Sequence, residues 1–434
     1  GYREHAWGHD ELLPVSQRHS EWFKLGLTLV DALDTLYIMN LQSEFKEARD
    51  WVANSLNLDQ NIDVNLFECT IRVLGGLIST HALTGDQMFL DRAHDLGDRL
   101  SYAFNEHSGV PFSDVNLGTH HAHKPAWGPD SSTSEVTTIQ LEFKALSHFT
   151  KDRKYFDRVT KVMDHVRQIK PADGLVPIFI NANSGRFSGN TVTLGARGDS
   201  YYEYLLKQWL LTNKKEDVYK QMYEEVVKSI TDQLLTRTKD GRVYVAERLN
   251  GRKSPKMDHL VCFYPGMLAL GYLHGMPREH LEQAKEVAKT CYDMYSTQPA
   301  KLAPEIVHFH DGRRHQSPSM YVKPADAHNL LRPETVESLF ILWRVTKDPI
   351  YREWGWEIYK AFEEHCRVET GGYSSLTSVL TSKPAFRDKM ESFFLGETLK
   401  YLYLLFEDDD NFLPLDQWVI NTEAHPLPIF DPPS

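Results

Sequence analysis

Two kinds of apolar pattern alternate along this chain. Seven stretches are apolar on nearly every side: residues 25–39, 64–83, 136–149, 201–211, 260–273, 336–345 and 393–406. Helices without a wide polar face are buried on all sides. Between them lie stretches such as 89–100 and 155–169, where apolar residues recur at helical spacing and charges fill the other positions. That pattern predicts helices with one face in water. Strand-like alternation is scarce, and residues 418–429 are the one late stretch that reads as extended. The pattern predicts an all-α protein.

The alternation repeats. Thr84-Gly85-Asp86, Thr150-Lys151-Asp152 and Thr346-Lys347-Asp348 each follow a fully apolar stretch, and an aromatic, Phe89, Tyr155 or Tyr351, lies inside the next helix. Each triplet reads as a turn in which Thr or Asp caps the following helix. A weaker copy starts at Thr212 and reaches Tyr219. The steps between copies are 66, 62 and 134 residues, so one copy is missing near position 279, where Gly275-Met276-Pro277-Arg278-Glu279 offers a turn. Breaks at Asn40-Leu41-Gln42-Ser43 and Asp408-Asp409-Asp410 extend the series both ways. About seven helical hairpins result, all of one supersecondary kind. Such hairpins stack into a solenoid or close into a ring. First helices that are apolar all round favour closure, with an inner ring covered by an outer one: an (α/α)7 barrel whose inner helices share one rim. The extended tail would turn back and plug it. No linker divides the chain, so one domain over 1–434 is expected. Residues 105–133, 171–198 and 296–331 read as long loops, which in a compact domain are usually functional.

Charge and composition narrow the partners. Sixty acidic residues against 48 basic ones give a net charge of −12, with no basic cluster. Nucleic acid is therefore excluded as an expected partner. No run of about 18 uncharged apolar residues could span a bilayer, and no signal peptide opens the chain. Any targeting element is expected upstream of Gly1. The four cysteines, Cys69, Cys262, Cys291 and Cys366, form no C-x-x-C pair, which argues against zinc and redox motifs and leaves their pairing open. There is no Asn-x-Ser/Thr sequon.

The candidate chemistry lies at the starts of the inner helices. They carry Asp31 and Asp34, Glu68, Glu135, Asp199 and Glu203, Asp258, Glu334 and Glu337, and Glu391 and Glu397. Pro333 suits a first helical turn, and Glu334 and Glu337 share one face behind it. First-turn acids can simply complement a helix dipole. That does not explain Glu68 deep in the stretch 64–72, or Glu397 about two turns into an apolar helix. Buried carboxylates are costly unless paired with cations, bound to a metal or used in catalysis. Arg72, Arg197 and Arg332 are candidate partners. Many acids without a His/Cys ligand set suit glycosidic hydrolysis by an acid–base pair, a hard cation held by oxygens, or both. Thr422 and Glu423 in the tail would join the acids, with Thr422 offering a hydroxyl and a carbonyl. His259, beside Asp258, is open between a structural and a functional role. His120-His121-Ala122-His123 lies in a loop with no acid at ligand spacing. Gly75-Gly76 is read as close helix packing, Cys69 and Cys366 as buried thiols, and Asp408-Asp409-Asp410 as a solvated turn.

Taken jointly, several motifs carry a family resemblance that covers nearly the whole chain. They are Trp7-Gly8-His9-Asp10-Glu11, Asp31-Ala32-Leu33-Asp34-Thr35-Leu36, Val64-Asn65-Leu66-Phe67-Glu68, Asp199-Ser200-Tyr201-Tyr202-Glu203-Tyr204, Lys256-Met257-Asp258-His259-Leu260, Leu331-Arg332-Pro333-Glu334 and Asn421-Thr422-Glu423-Ala424-His425-Pro426. In these the chain resembles the class I α-1,2-mannosidases, glycoside hydrolase family 47. The resemblance implies an (α/α)7 barrel and inverting, Ca²⁺-dependent hydrolysis of terminal α-1,2-linked mannose on high-mannose N-glycans. It implies Glu334 as general base and Glu68 as general acid through a water, with Asp199 the rival acid. Thr422 would bind Ca²⁺ directly. Arg72, Glu135, His259, Arg332, Phe393, Glu397 and Glu423 match the family's pocket positions, and Cys262 and Cys291 its disulfide, which implies an oxidising compartment.

Arg197, in Leu194-Gly195-Ala196-Arg197-Gly198-Asp199, resembles the endoplasmic-reticulum type, which trims one mannose from the middle branch. Golgi-type members carry a small apolar residue there and trim more broadly. The resemblance further implies a monomer in the lumen of the endoplasmic reticulum or early Golgi, anchored only by a segment upstream of this chain. The alternative readings are a lectin-like, degradation-enhancing relative that recognises mannose, hydrolyses it poorly and keeps the same acids, or a Golgi-type broad α-1,2-mannosidase.

Overall fold

In the three Thr-x-Asp turns, local chemistry repeats bond for bond. Thr84 Oγ1 accepts from the Asp86 N–H at 3.1 Å, and Asp86 accepts from the Met88 N–H at 3.0 Å. Thr150 and Asp152 do the same at 3.3 and 3.0 Å, and Thr346 and Asp348 at 3.2 and 3.0 Å. The middle residue is left-handed each time: φ is 72° at Gly85, 59° at Lys151 and 58° at Lys347. One hydroxyl ends a helix and one carboxylate starts the next.

The computed structural model describes residues 1–104, 107–310 and 319–433. They gather into two compact units, Gly1–Glu21 with Leu194–Ala196 and Ile230–Phe412, and Trp22–Thr193 with Arg197–Ser229 and Leu413–Ser434.

In the second of these, buried helical segments comprise Leu27–Asp31 with Leu33–Ile38, Leu66–Glu68 running through to Gly75–Thr84, Thr133–Thr137 with Gln140–Thr150, and Asp199–Leu211. Every residue from Ser200 to Leu211 is buried. Amphipathic helices alternate with them at Gln42–Asn54, Gln87–Leu100 and Arg153–Ile169, and a fourth, Asp217–Gln233, belongs to this unit up to Ser229. Gln87–Leu100 buries Phe89, Leu90, Ala93, Leu96, Gly97 and Leu100, one stripe at 3.6-residue spacing. The tail forms an antiparallel pair, Trp418–Ile420 with Pro426–Pro428, packed on Asp199–Leu211 and Gly75–Thr84. A Cβ on Gly75 would lie 2.8 Å from the Asn421 amide nitrogen, and one on Gly76 2.9 Å from the Val30 carbonyl oxygen. The two glycines thus permit close packing, as expected.

The first unit follows the same rule. His259–Phe263 with Tyr264–Leu273, Glu334–Thr346, and Phe394–Thr398 with Leu399–Phe406 are buried, and Arg278–Ser296 and Ile350–His365 are amphipathic. Seven buried helical segments therefore occur among the described residues, at the seven predicted places.

The three long loops are more ordered than expected. Asp63–Asn65 pairs with Asp114–Asn116, which pairs with Ala122–His123. Ser131–Ser132, Phe179–Asn181 and Arg186–Ser188 make a second small sheet. Lys256–Asp258, Ile306–Phe309 and Met320–Tyr321 make a third. Residues 105–106 and 311–318 of those loops lie outside the described residues. Strands of two to four residues are too short for period-two alternation to register. Two hairpins over residues 235–254 escaped the sequence reading for the same reason.

Candidate active site

The acids expected at the helix starts fall into two groups, one in each unit. In the unit that contains the tail, the helix carrying Glu68 begins with Asn65, whose side chain accepts the Glu68 N–H at 3.0 Å. A π-helical turn, Cys69–Leu74, follows. Such turns recur at functional sites because they re-aim side chains. Arg72 then reaches three carboxylates: its Nε donates to Glu68 at 2.7 Å, its Nη1 donates to Glu423, and Asp31 lies 3.7 Å away. Burial pulls the Arg72 pKa down, but these acids outweigh it and hold the guanidinium charged.

The tail is tied in by its own side chains. Asn421 donates to the Ile71 carbonyl (3.1 Å) and to Glu142 (2.8 Å), and accepts from the N–H groups of Glu423 and His425. His425 sits between Asp34 (2.7 Å) and Asp31 (3.0 Å), all fully buried. Burial raises the Asp31 pKa; the His425 hydrogen bond and charge, then Arg72, bring it below the usual range. Thr422 Oγ1 donates to Glu203 at 2.8 Å, and Lys207 holds the other Glu203 oxygen at 2.5 Å. Tyr204 accepts the Thr422 N–H at 3.4 Å and donates to Glu142 at 2.6 Å. The groups brought to Thr422 are thus oxygens, the donor chemistry of a hard cation.

Glu135 closes a capping box with Ser132 at the start of Thr133–Thr137. Burial pushes its pKa up to about 7, with Glu68 and Asp114 adding to the rise. Asp199 opens its helix and accepts from the Ser200 N–H at 2.7 Å. Arg197 has φ 76°, and its guanidinium lies 4.3 Å over the Trp127 ring and 5.1 Å from that of Phe179.

In the other unit, Glu334 opens the helix Glu334–Thr346 behind Pro333. His259 Nδ1 lies 2.9 Å from Glu334, and its Nε2 2.8 Å from the Tyr295 hydroxyl and 3.0 Å from Thr335 Oγ1. Burial raises the Glu334 pKa, but the His259 hydrogen bond and charge, then Arg332, hold it below the usual range. His259 therefore orients the Glu334 carboxylate and favours its charged form. Arg332 binds Glu305 through Nε at 2.8 and 2.9 Å and packs its guanidinium 5.7 Å from the Phe393 ring. Glu397 is buried in a second π-helical turn, Phe394–Thr398. Cys262 and Cys291 are disulfide-bonded, and Cys69 and Cys366 are buried cysteines outside that bond.

The described residues thus bring Glu68, Arg72 and Glu423 together, Thr422 with Glu203, and His259 with Glu334. Glu142, Asn421, Tyr295 and Glu305 were not foreseen as site residues. Glu305 lies in a stretch read as loop, and nothing nearby in sequence marks it as the partner of Arg332.

The chain matches Glycosyl hydrolase family 47 over residues 1–429. It belongs to that family. Family 47 relatives include the endoplasmic reticulum mannosyl-oligosaccharide 1,2-alpha-mannosidases of Rattus norvegicus and Homo sapiens, 55% and 56% identical over the whole of this chain. The chain spans 66% and 62% of the length of those two relatives. The alpha-1,2-mannosidase from Trichoderma reesei is 26% identical, covers 99% of this chain and 96% of its own, and superposes with a TM-score of 0.92. Family 47 membership and that likeness establish the expected fold class, all-α of the (α/α)7 type. Among the described residues, no helix is long and apolar enough to cross a membrane.

Proposed function

We propose that this chain hydrolyses terminal α-1,2-linked mannose from high-mannose N-glycans, with inversion and with Ca²⁺, as one catalytic domain. The carrying observation is Glu334, a largely buried carboxylate held ionised by His259 and Arg332. An ionised, oriented carboxylate is what activation of water requires. In this reading Glu334 accepts the proton of the attacking water, and Glu68 supplies a proton to the leaving oxygen through a second water, with Asp199 the other candidate. Arg72 fixes the Glu68 carboxylate and Glu423. Phe393 offers its ring to a sugar face, and Arg332 holds one side of that ring.

Thr422, through its hydroxyl and carbonyl, is the proposed direct protein ligand of Ca²⁺, with Glu203 beside it. Bound there, Ca²⁺ would offer positive charge to sugar hydroxyls and to waters held by the neighbouring acids. The names of the rat and human relatives support the endoplasmic reticulum as the place of action. Action in its lumen, in glycan processing and glycoprotein quality control, is part of the proposal. An anchor upstream of this chain and a monomeric state belong to the same proposal. Arg197, exposed on its two aromatic rings, is proposed to select the middle branch.

The test is the full chain incubated with a reducing-end-labelled high-mannose glycan and followed by proton NMR. The expected first product is β-mannose, lost after EDTA treatment and restored by Ca²⁺. Initial α-mannose would overturn inversion, full activity after exhaustive chelation would overturn the metal, and binding without release would favour the lectin-like alternative.

A further inference from the structure

Residues 9–21 form a hairpin that the proposed reaction does not use. Glu11–Leu13 pairs with Arg18–Ser20, and the turn between them is clamped from outside. Asp388 accepts the N–H groups of Val15 and Ser16 at 2.7 and 3.1 Å, the Leu12 carbonyl takes the Met390 N–H at 3.0 Å, and Thr370 donates to the Pro14 carbonyl at 2.7 Å. A hairpin held at its turn and along one edge is a rigid base for side chains.

Three side chains converge at its open end. The rings of His9 and His19 stack with centroids 3.5 Å apart and planes 7° from parallel. His9 Nδ1 contacts Glu21 Oε1, and the second Glu21 oxygen is fixed by the Asp10 N–H at 3.2 Å. The Tyr2 hydroxyl donates to the His9 carbonyl at 2.6 Å, fixing the backbone there. One ligand atom from each of His9, His19 and Glu21 lies within 4.8 Å of the other two. In a tetrahedral zinc site, neighbouring ligand atoms are about 3.3 Å apart, given metal–ligand distances of about 2.0–2.1 Å. Small ring rotations separate the two arrangements. The His9 and Glu21 side chains are 40% and 29% exposed, so an ion can enter.

We propose that His9, His19 and Glu21 form a second metal site, for a divalent transition ion of the Zn²⁺ kind. Two imidazole nitrogens and one carboxylate are the donor set of borderline ions, whereas Ca²⁺ takes oxygens. Water completes the tetrahedron. The ion replaces the proton between His9 and Glu21 and ties the start of the hairpin to its end. The site is independent of the proposed Ca²⁺ ligand Thr422, so saturating calcium does not compete for it.

The experiment titrates ZnCl₂ into the full chain in excess CaCl₂ by calorimetry, and CoCl₂ by visible absorption. Expected are one saturable zinc per chain and a tetrahedral Co²⁺ spectrum. His19→Ala and Glu21→Gln should each weaken zinc by at least about tenfold, since even outer-sphere changes cost 10–100-fold. Both residues are at the surface, so both variants should fold, as their circular dichroism will report. Absence of saturable zinc binding in the wild type, or an unchanged isotherm in His19→Ala, would overturn the site.

Discussion

Glu135 and Glu334 both sit in the first turn of a buried helix, both largely out of water, and their pKa values move in opposite directions. Burial acts on both in the same sense. Glu135 has one long backbone hydrogen bond, 3.4 Å to the Ser132 N–H, and feels the like charges of Glu68 and Asp114, so desolvation wins and the carboxyl titrates near neutrality. Glu334 has His259 at 2.9 Å and the positive field of Arg332, and these win instead. Burial alone therefore does not say whether a carboxylate is an acid or a base; the cations aimed at it do. The same contrast holds deeper in the core. Asp31 is kept ionised by His425 and Arg72, whereas burial lifts Glu142, whose direct partners are the neutral Tyr204 and Asn421, to about 7.

Replacing Glu334 with Gln should break the comparison most severely. It removes the base and leaves the hydrogen-bonding shape, so kcat should fall by roughly 10²–10⁴-fold. Unchanged circular dichroism and glycan binding would show that the fold survives. His259→Ala makes Glu334 more like Glu135. With that partner gone, burial should raise the Glu334 pKa, and the acid limb of kcat/KM against pH should move up towards neutrality. A fixed acid limb would assign it to another group.

Glu135→Gln tests the other side. The folded pKa, about 7, lies above the ordinary 4.5. The folded state then binds more protons than the unfolded state between those values, so stability falls as pH rises through that window. Gln keeps the cap and cannot titrate. Relative to wild type, the variant should gain on the order of 3 kcal/mol between about pH 4.5 and about pH 8, at about 1.4 kcal/mol for each pH unit separating the folded and unfolded pKa. Melting temperatures of both proteins across that range would show it, and parallel curves would contradict a raised Glu135 pKa.

The smallest expected effect sharpens the contrast. Arg197 lowers the Glu135 pKa through space. Arg197→Leu should raise it further and also remove bonds to the glycan branch. At about 1.5–3 kcal/mol for a hydrogen bond to a charged group, the preferred isomer should slow roughly tenfold to a hundredfold. A minimal α-1,2-mannobiose should be cleaved almost as before. The same isomer at the same rate would remove Arg197 as selector.

Local order was legible from the chain. The seven buried segments, the caps at Asp86, Asp152 and Asp348, the tight glycines and the acids at helix starts all follow from periodicity and short-range hydrogen bonding. The pairing of Arg72 with Glu68 was also visible, because four residues make one helical turn. The short sheets in the expected loops were not visible, since three residues show no period.

What only the tertiary structure decided is which charge meets which. Arg332 stands two residues from Glu334 in sequence, yet its Nε–H is shared between the two carboxylate oxygens of Glu305, 27 positions away. Asn421 reaches back to Ile71 and Glu142, and His425 to Asp31 and Asp34. Sequence determines where a carboxylate enters a helix and that it will be dry. Its protonation state depends on groups distant in the chain, because Coulomb interactions in a low dielectric follow distance in space. Here, whether a buried acid holds its proton was settled by the fold.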